Sequence, residues 1–340
     1  MTSQGVKLQW WRHGGWRRRR RGAPYNPRSA FSAPAVSHSR AVLLMILVTF
    51  LWSMAGVVSR HLEAAQGFEV NVWRSGANAL ALFVGLTWLR GTGVWRDLLG
   101  APRVVWASSL CWAVMYTGFM VALTLTTVAN VLIIMAAGPL LTAALARVVL
   151  HHPIAARTWA AIVLAGAGIA WIFADQAAAG ASMAGAMVAL AVPIAASINW
   201  MLLQATHFVP AGEPDEAVAA PAPDMMPAVF VGAVISTLAT LPLAWPLTAT
   251  MHDIGLLAFL GVFQLAVPCL LVVRLTAVLP GPEISLLGLL EVIFGVTWTW
   301  LGAGESPPAT TLAGGALVLA ALAGNELAAL RARRVQPVAG

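Results

Sequence analysis

The stretch PGPEISLLGLLEVIFGVTWTWLGAGESPP, residues 280–308, decides the fold class of this chain. Pro and Gly residues interrupt it at both ends, and the 18 residues from Ile284 to Leu301 carry a single charge, that of Glu291. An α-helix of this length is about 27 Å long, which is close to the thickness of the bilayer hydrocarbon. The stretch therefore predicts a membrane-spanning helix with one carboxyl group near its middle.

The two faces of this helix differ in character. One face is large and apolar, and the other carries small or polar residues at spacings of three or four, namely Ser285, Gly288, Glu291, Gly295, Trp298 and Gly302. Small residues let helices approach closely within a membrane, so we interpret Gly288 and Gly295 as helix-packing positions. A carboxyl group inside a span is costly, and it marks a candidate functional site.

The composition of the whole chain is that of a polytopic membrane protein. Hydrophobic residues make up 59% of its 340 residues, charged residues make up 10%, and the mean hydropathy is +0.80. A soluble core of this size does not need so little charge, so the composition favours an all-α protein that crosses the lipid bilayer many times. Both cysteines, Cys111 and Cys269, lie inside apolar runs and predict no disulfide framework.

Hydropathy predicts ten spans, at residues 41–59, 70–89, 104–123, 126–148, 158–174, 183–204, 227–248, 254–278, 283–302 and 309–329. Pro139 interrupts the fourth span, which the interior of a helix bundle tolerates, and we interpret it as a third packing position. The connections are short except for residues 205–226. That segment is rich in Pro and Ala and lacks Lys and Arg, so we interpret it as a linker.

Five spans before the linker and five around or after it indicate an internal repeat. Because five is odd, the second repeat must lie inverted in the membrane. We therefore predict two inverted five-helix repeats, the first at residues 41–176 and the second at residues 183–330, which contains the linker. Inverted repeats with a binding site at their interface are a design of secondary transporters.

Positive charge predicts the orientation in the membrane. If the N-terminus is cytoplasmic, eighteen of the 20 Lys and Arg residues lie on the cytoplasmic side, and only Arg60 and Arg74 lie towards the outside. We therefore predict that both termini and the linker 205–226 are cytoplasmic. The protein is expected in the cell (inner) membrane.

Residues 1–40 and 331–340 are predicted to be basic cytoplasmic tails. The first is non-periodic and rich in Arg, Pro and Ser, which predicts disorder. Its run Arg17–Arg21, with nearby tryptophans, could stack on nucleic acid, but contact with anionic lipid is the interpretation we favour, and no nucleic-acid partner is expected. The apolar run that follows has spanning length and no clear cleavage site, so we expect no cleaved signal peptide. A translation start further downstream is an alternative.

Three stretches that overlap the predicted spans together resemble the EamA branch of the drug/metabolite transporter superfamily. They are LVTFLWSMAGVVSRHL at residues 47–62, VWRSGANALAL at residues 72–82 and LLEVIFGVTWTWLGAGESP at residues 289–307. With the Pro139 region, the resemblance covers about residues 41–330. The sequence departs from the family pattern at His151 and His152, where Gly-Glu is usual, and at Val292, where proline is common. The resemblance implies transport of a small organic solute, often by export.

Glu291 has two interpretations. In the functional one it binds a substrate amine or exchanges a proton, because desolvation favours the protonated form of a carboxyl group. In the structural one it stays protonated and hydrogen-bonded between helices. Arg74, near the outer end of the second span, could hold a substrate carboxylate. We favour instead that it snorkels to the interface or pairs with Glu69.

Gln264, Tyr116 and Trp52 lie about ten to twelve residues into their spans, near the depth of Glu291. Groups at one depth can line a cavity between repeats. Each of the three alone fits interhelical packing better. Asn130 and Asn199 are interpreted as hydrogen bonders between helices, and Glu305 is expected to cap a helix end.

Motifs of catalysis and metal binding are absent from the sequence. His-Glu-x-x-His, Gly-x-Ser-x-Gly, a phosphate loop and Cys-x-x-Cys do not occur, and the adjacent His151 and His152 lack the spacing of metal ligands. We predict neither an enzyme nor a cofactor. The predicted function is secondary transport of a small organic metabolite or drug-like solute by alternating access, in the export direction, with coupling to a proton gradient as an additional hypothesis. An intramembrane enzyme and a non-transporting scaffold or sensor are the alternatives, and the oligomeric state is left open.

Overall fold

The computed structural model describes residues 37–138, 140–142, 144–145, 156–178, 183–207, 223–276, 278–279 and 281–335. Within these ranges all regular structure is helical and no strand occurs. All the helices lie in the unit Ser37–Gly340. Most of the predicted N-terminal tail, most of the predicted linker, and Pro139 lie outside the described residues.

Eleven helices follow one another along the described part of the chain. They are α1 (His38–Ser59), α2 (Phe68–Arg90), α3 (Gly93–Leu99), α4 (Arg103–Leu125), α5 (Val128–Ala136), α6 (Ala156–Ala178), α7 (Ala184–His207), α8 (Met226–Thr240), α9 (Met251–Leu275), α10 (Gly281–Ala303) and α11 (Ala309–Val335). A 3-10 turn, Leu241–Leu243, extends α8, and a π-helical segment, Leu260–Ala266, lies inside α9. The all-α class is confirmed.

Each of the ten predicted spans overlaps one of these helices, and α3 is the additional one. By length and composition, five helical segments of the described residues are able to cross a membrane: His38–Ser59, Arg103–Leu125, Ala184–Leu203, Met226–Leu243 and Met251–Leu275. Four more contain shorter apolar stretches: Val128–Thr142, Trp159–Trp171, Leu290–Ala303 and Ala309–Asn325. These helices indicate an integral membrane protein, and the arrangement of ten spans stays a prediction.

The predicted seventh span, residues 227–248, is too long. The helical part ends at Leu243, and the chain then runs without helix to Thr250. Pro246 lacks the backbone N–H that would continue the helix. A capping box then starts α9, because the Thr250 hydroxyl accepts the N–H of Asp253 while the Asp253 carboxylate accepts the N–H of Thr250.

The two halves of the chain pack into each other. The helix α4 packs against α7 and α8, and α9 packs against α1 and α2. The helix α10 packs against α1 and α5, and α5 also packs against α7. Further contacts join α2 to α8 and α6 to α11. Each of these pairs joins a helix of the first half to a helix from α7 onward.

Small residues bring some of these helices close together. A Cβ atom at Gly168 would lie 2.8 Å from the carbonyl oxygen of Gly314, so α6 and α11 approach with their backbones there. A Cβ atom at Gly295 would overlap the side chain of Leu132, so α10 lies directly on α5. At Gly288 a Cβ atom would meet nothing within 4 Å. Gly288 therefore borders open space, contrary to the packing role predicted for it.

Two asparagines connect helices, which confirms their predicted role. Oδ1 of Asn130 in α5 accepts a hydrogen bond from Oγ1 of Thr311 in α11, at 3.0 Å. Oδ1 of Asn199 in α7 accepts one from Oγ of Ser108 in α4, at 2.6 Å. Both bonds join a helix of the first half to one of the second.

Four connections meet at one end of the bundle, which we call the loop end: residues 60–67, 126–127, 244–250 and 304–308. Arg60 donates from Nε to Oε2 of Glu305 at 2.7 Å, and from Nη1 and Nη2 to the carbonyl oxygens of Leu123 and Thr126 at 3.0 Å each. Oε1 of Glu305 accepts the N–H of Val128 at 2.9 Å. Glu305 therefore caps a helix as predicted, although that helix is α5.

Two further carboxylates tie the loop end together. Asp253, which is fully buried, accepts hydrogen bonds from the three consecutive N–H groups of residues 63–65, at 2.7 to 2.9 Å. Glu69, which is 3% exposed, accepts the N–H groups of Thr248 and Ala249 at 2.8 Å each. Each carboxylate thus holds a connection that belongs to other helices.

Candidate functional site

A cavity of about 180 Å³ lies between α1, α2, α4, α5, α7, α9 and α10. All five residues predicted as substrate or coupling residues line it, namely Trp52, Arg74, Tyr116, Gln264 and Glu291. Helices from both halves of the chain contribute to its wall. Most of the remaining wall is apolar or aromatic. Four of them were predicted at one depth, and Arg74, which was predicted nearer the outer end of its span, lines the same space.

Arg74 is the buried cation of this cavity. The helix α2 carries it, and it is 1% exposed. Its Nε and Nη2 atoms both donate to Oε1 of Gln264, at 3.1 and 2.9 Å, and its guanidinium group lies 5.5 Å from the centre of the Phe119 ring. Its Nη1 atom has no hydrogen-bond partner among the described residues. The guanidinium plane is fixed, and one nitrogen is left unused.

The position of Arg74 differs from the one that we favoured from the sequence. It does not snorkel to an interface, and it does not pair with Glu69. Five residues along an α-helix turn the side-chain direction by about 140°. Glu69 therefore faces the connection 244–250 at the loop end, whereas Arg74 faces the cavity.

Gln264 lies in the π-helical segment Leu260–Ala266 and connects three helices. Its Nε2 atom donates to the carbonyl oxygen of Trp52 in α1 at 3.2 Å, which directs its Oε1 atom to Arg74 in α2. Gly261 allows this approach, because a Cβ atom there would lie 2.5 Å from the carbonyl oxygen of Arg74. Single-turn π-helical segments are frequent at functional sites.

The helix α4 contributes a row of aromatic residues at spacings of four and three, namely Trp112, Tyr116 and Phe119. Such residues share one face of a helix. The rings of Trp112 and Tyr116 stack with their centres 5.6 Å apart, and Trp200 of α7 meets Trp112 edge-on at 6.2 Å. Oη of Tyr116 and Nε1 of Trp112 are buried without a hydrogen-bond partner among the described residues.

Glu291 lies on the wall that α10 forms and is only partly exposed. Its carboxyl group forms no hydrogen bond or ion pair with a described residue. Arg74 lies within electrostatic range across the cavity without making such a pair. Gly288, one turn earlier, lines the same space and adds no side chain to it. The cavity thus holds a cationic and an acidic group that do not touch.

Among the cavity-lining residues that sequence reasoning missed, Trp112, Phe119 and Cys269 lie beside the predicted ones. Trp112 and Phe119 were recognisable, since they flank Tyr116 at helical spacings. Cys269 was not recognisable, because it follows Gln264 by five residues. That spacing brings side chains together only where a helix is locally widened, as in a π-helical turn.

Another group of potential ligands lies at the loop end. Ligand atoms of Glu63, His252 and Asp253 lie within 4.8 Å of one another. Glu63 and His252 are exposed, and both oxygens of Asp253 already accept backbone N–H groups. Asp253 thus already holds the connection 60–67, and we interpret this group as part of the loop end.

The fold and the cavity define a class of protein: a helical integral membrane protein with a charged cavity between the two halves of its chain. Residues 39–174 match the model of the EamA-like transporter family. The matched segment, which is less than half of the chain, is similar to that family, which is part of the drug/metabolite transporter superfamily and whose members are transporters rather than enzymes. The match confirms the resemblance for the motifs at residues 47–62 and 72–82, whereas the motif at residues 289–307 lies outside the matched segment.

No curated protein matches the sequence significantly. Thirteen solved chains match the structure. One of them, described only as the crystal structure of a protein, has 17% sequence identity and a TM-score of 0.57. The alignment covers 88% of this chain and 100% of that chain. At this identity the match indicates a shared fold.

Proposed function

We propose that this protein is a secondary transporter that moves a small organic solute across the cell membrane, in the export direction, by alternating access. The observation that carries the proposal is the cavity between the two halves. One cation, one carboxyl group and several buried donors without partners converge on it. Buried polar groups are normally satisfied within a protein. Unsatisfied ones that line a cavity support a site for a ligand.

The proposal includes ten spans in two inverted repeats, residues 41–176 and 183–330. With α3 set aside, each helix of the first half corresponds to the helix five spans later. In this correspondence α1 matches α7, α2 matches α8 and α4 matches α9. The contact between α4 and α7 therefore matches the contact between α9 and α1. The contact between α4 and α8 matches the contact between α9 and α2. The contact of α5 with α7 likewise matches that of α10 with α1.

Three other contacts, α2 with α8, α5 with α10 and α6 with α11, are each their own counterpart in this correspondence. A two-fold axis in the plane of the membrane would produce this set of contacts, which supports the inverted repeat. In the proposed orientation the loop end faces outward and both termini are cytoplasmic. A membrane-impermeant thiol reagent that labels Ala339→Cys in intact cells would contradict this orientation.

Glu291 is the residue that we propose for proton coupling. Its carboxyl group borders the cavity and forms no hydrogen bond with a described residue, so gain or loss of a proton need not break any of the described contacts. The other titratable or charged groups that act on it are Arg74 and Cys269. Glutamine at this position keeps the size and the hydrogen-bonding atoms but cannot titrate. This substitution therefore separates proton exchange from a structural role.

Transport in vesicles tests the proposal. The purified protein is reconstituted and offered a panel of labelled organic solutes, with and without an imposed pH gradient. We expect saturable transport that the gradient drives into accumulation. Glu291→Gln should keep solute exchange and lose gradient-driven accumulation, which amounts to about tenfold per pH unit of the gradient for one proton moved per solute, because a glutamine cannot carry the proton.

The matched control is Glu305→Gln, which changes a carboxylate at the loop end and should keep gradient-driven accumulation. If Glu291→Gln accumulates solute like the wild type, Glu291 has no part in coupling. If the wild type transports no solute of a broad panel saturably, the transport proposal is wrong. Conversion of a labelled solute to a new product would favour an intramembrane enzyme.

A further inference from the structure

We propose that the cavity binds the carboxylate group of its solute, held between Nη1 of Arg74 and Oη of Tyr116. This inference rests on the proposed transport function and adds the substrate class, a small carboxylate with an apolar body. It assigns Arg74 and Tyr116 as the residues that determine specificity.

The first argument is the charge of Arg74. Its hydrogen-bond partner among the described residues is Oε1 of Gln264, which is neutral. A buried charge without a counter-ion is costly in a protein. Glu291 faces the same cavity, yet the two side chains form no ion pair. A negatively charged group of a ligand would supply the counter-ion that no described residue provides in contact with Arg74.

The second argument is the balance of donors and acceptors. Nη1 of Arg74 and Nε1 of Trp112 only donate, and Oη of Tyr116 also carries a donor hydrogen. All three atoms are buried without a hydrogen-bond partner in the part of the chain that the structure describes, and all three residues line the cavity. Cys269 and Asn78 lie near Oη of Tyr116, but neither has the geometry of a hydrogen bond with it. No described residue accepts a hydrogen bond from any of the three donors, although Oδ1 of Asn78, which does not line the cavity, is itself without a described partner.

A carboxylate meets both needs. It brings a negative charge and two acceptor oxygens, and charge-assisted hydrogen bonds are stronger than neutral ones. Gln264 occupies Nε and Nη2 of Arg74, so the available donors are Nη1 and the hydroxyl of Tyr116. The aromatic rings of Trp112 and Trp200 line the remaining wall together with aliphatic side chains. This surface suits an apolar body attached to the carboxylate.

The test compares two probes that differ in one functional group, 3-phenylpropionate and 3-phenylpropanamide. Their binding to the full-length protein in lipid nanodiscs is measured by titration calorimetry at pH 7.5, where the acid is ionised. We expect the wild type to bind the acid at least about tenfold more tightly than the amide, since a hydrogen bond to a charged group is worth about a factor of ten or more. Arg74→Gln should lose this preference.

Further variants keep the test decisive if Arg74→Gln does not fold. Tyr116→Phe removes one hydroxyl and should reduce the preference about threefold or more, because it removes one of two donors. Arg74→Lys keeps the charge and should retain part of it. Arg60→Gln, at the loop end and outside the cavity, should keep the full preference.

Three results would overturn the inference: equal binding of the two probes, no binding of either probe to the wild type, or an undiminished preference in both Arg74→Gln and Tyr116→Phe. Binding does not depend on transport, so the two proposals fail separately. Acid-selective binding without transport would contradict the proposed function alone. Saturable transport of solutes without acid selectivity would contradict this inference alone.

Discussion

Two pairs of arginine and glutamate in this molecule are arranged in opposite ways. At the loop end Arg60 uses Nε, Nη1 and Nη2 as donors, and both oxygens of Glu305 accept hydrogen bonds. In the cavity Nη1 of Arg74 has no hydrogen-bond partner among the described residues, and neither has the carboxyl group of Glu291. The same two residue types thus have hydrogen-bonded side chains at the loop end, whereas in the cavity some of their polar atoms have no described partner.

The difference separates residues that hold the fold from residues that are available to a ligand. The carboxylates of the loop end bind backbone N–H groups of connections, and such contacts fix where helices begin and end. An unused donor in a buried place lowers stability, so it persists only where something else compensates for it. In the cavity we propose that a solute provides this compensation.

The largest effect on stability is expected for Asp253→Ala at the loop end. The change leaves the three N–H groups of residues 63–65 without their acceptor, which should destabilise the protein by about 3 kcal/mol. Thermal unfolding of the purified protein in detergent measures it. Asp253→Asn is the control, because its amide oxygen still accepts part of these bonds and should cost less. A wild-type melting temperature for Asp253→Ala would show that the loop end does not depend on this carboxylate.

A smaller effect is expected for Glu305→Gln. The side chains of Arg60 and Glu305 are 30% and 20% exposed, so solvent weakens their ion pair, and the loss should be about 1 kcal/mol. A double-mutant cycle with Arg60→Gln isolates the contact between them. Strict additivity of the two single substitutions would mean that the ion pair contributes nothing to stability.

The smallest effect is expected for Glu291→Gln, whose stability should lie within about 0.5 kcal/mol of the wild type. Its carboxyl group has no described hydrogen bond that the substitution could remove. Unfolding under the same conditions as for Glu305→Gln makes the comparison direct. A destabilisation as large as that of Glu305→Gln would assign Glu291 to the structure and would end the contrast between the two pairs.

The sequence predicted where the helices lie, because a long apolar run in a membrane protein has few alternatives to a helix. It did not predict α3, a short helix between glycines, nor the early end of α8 before Pro246. Such features depend on local backbone hydrogen bonds rather than on hydropathy. The roles of Asn130 and Asn199 followed from the need of polar groups within spans to find partners in other helices.

The candidate site was predictable in part. Helix depth identified Trp52, Tyr116, Gln264 and Glu291, since residues at one depth can meet at the centre of a bundle. Depth could not identify the partner of Arg74, because sequence separation favours Glu69 on the same helix over Gln264 from the other half of the chain. Contacts between distant segments depend on how helices are rotated, and hydropathy alone does not determine that rotation.

The π-helical segment Leu260–Ala266 gives α9 room for one residue more than a regular α-helix of the same span. Its hydrogen bonds span one residue more than those of an α-helix, so the wide turn absorbs the extra residue. Deleting one residue there would restore a regular α-helix with little rotation of one half of α9 against the other. Asp253 lies before the segment and Cys269 after it, so both could keep their present directions. A homologous chain with an α9 shorter by one residue could therefore keep the same loop end and the same cavity wall, and would lose only the local widening that carries Gln264.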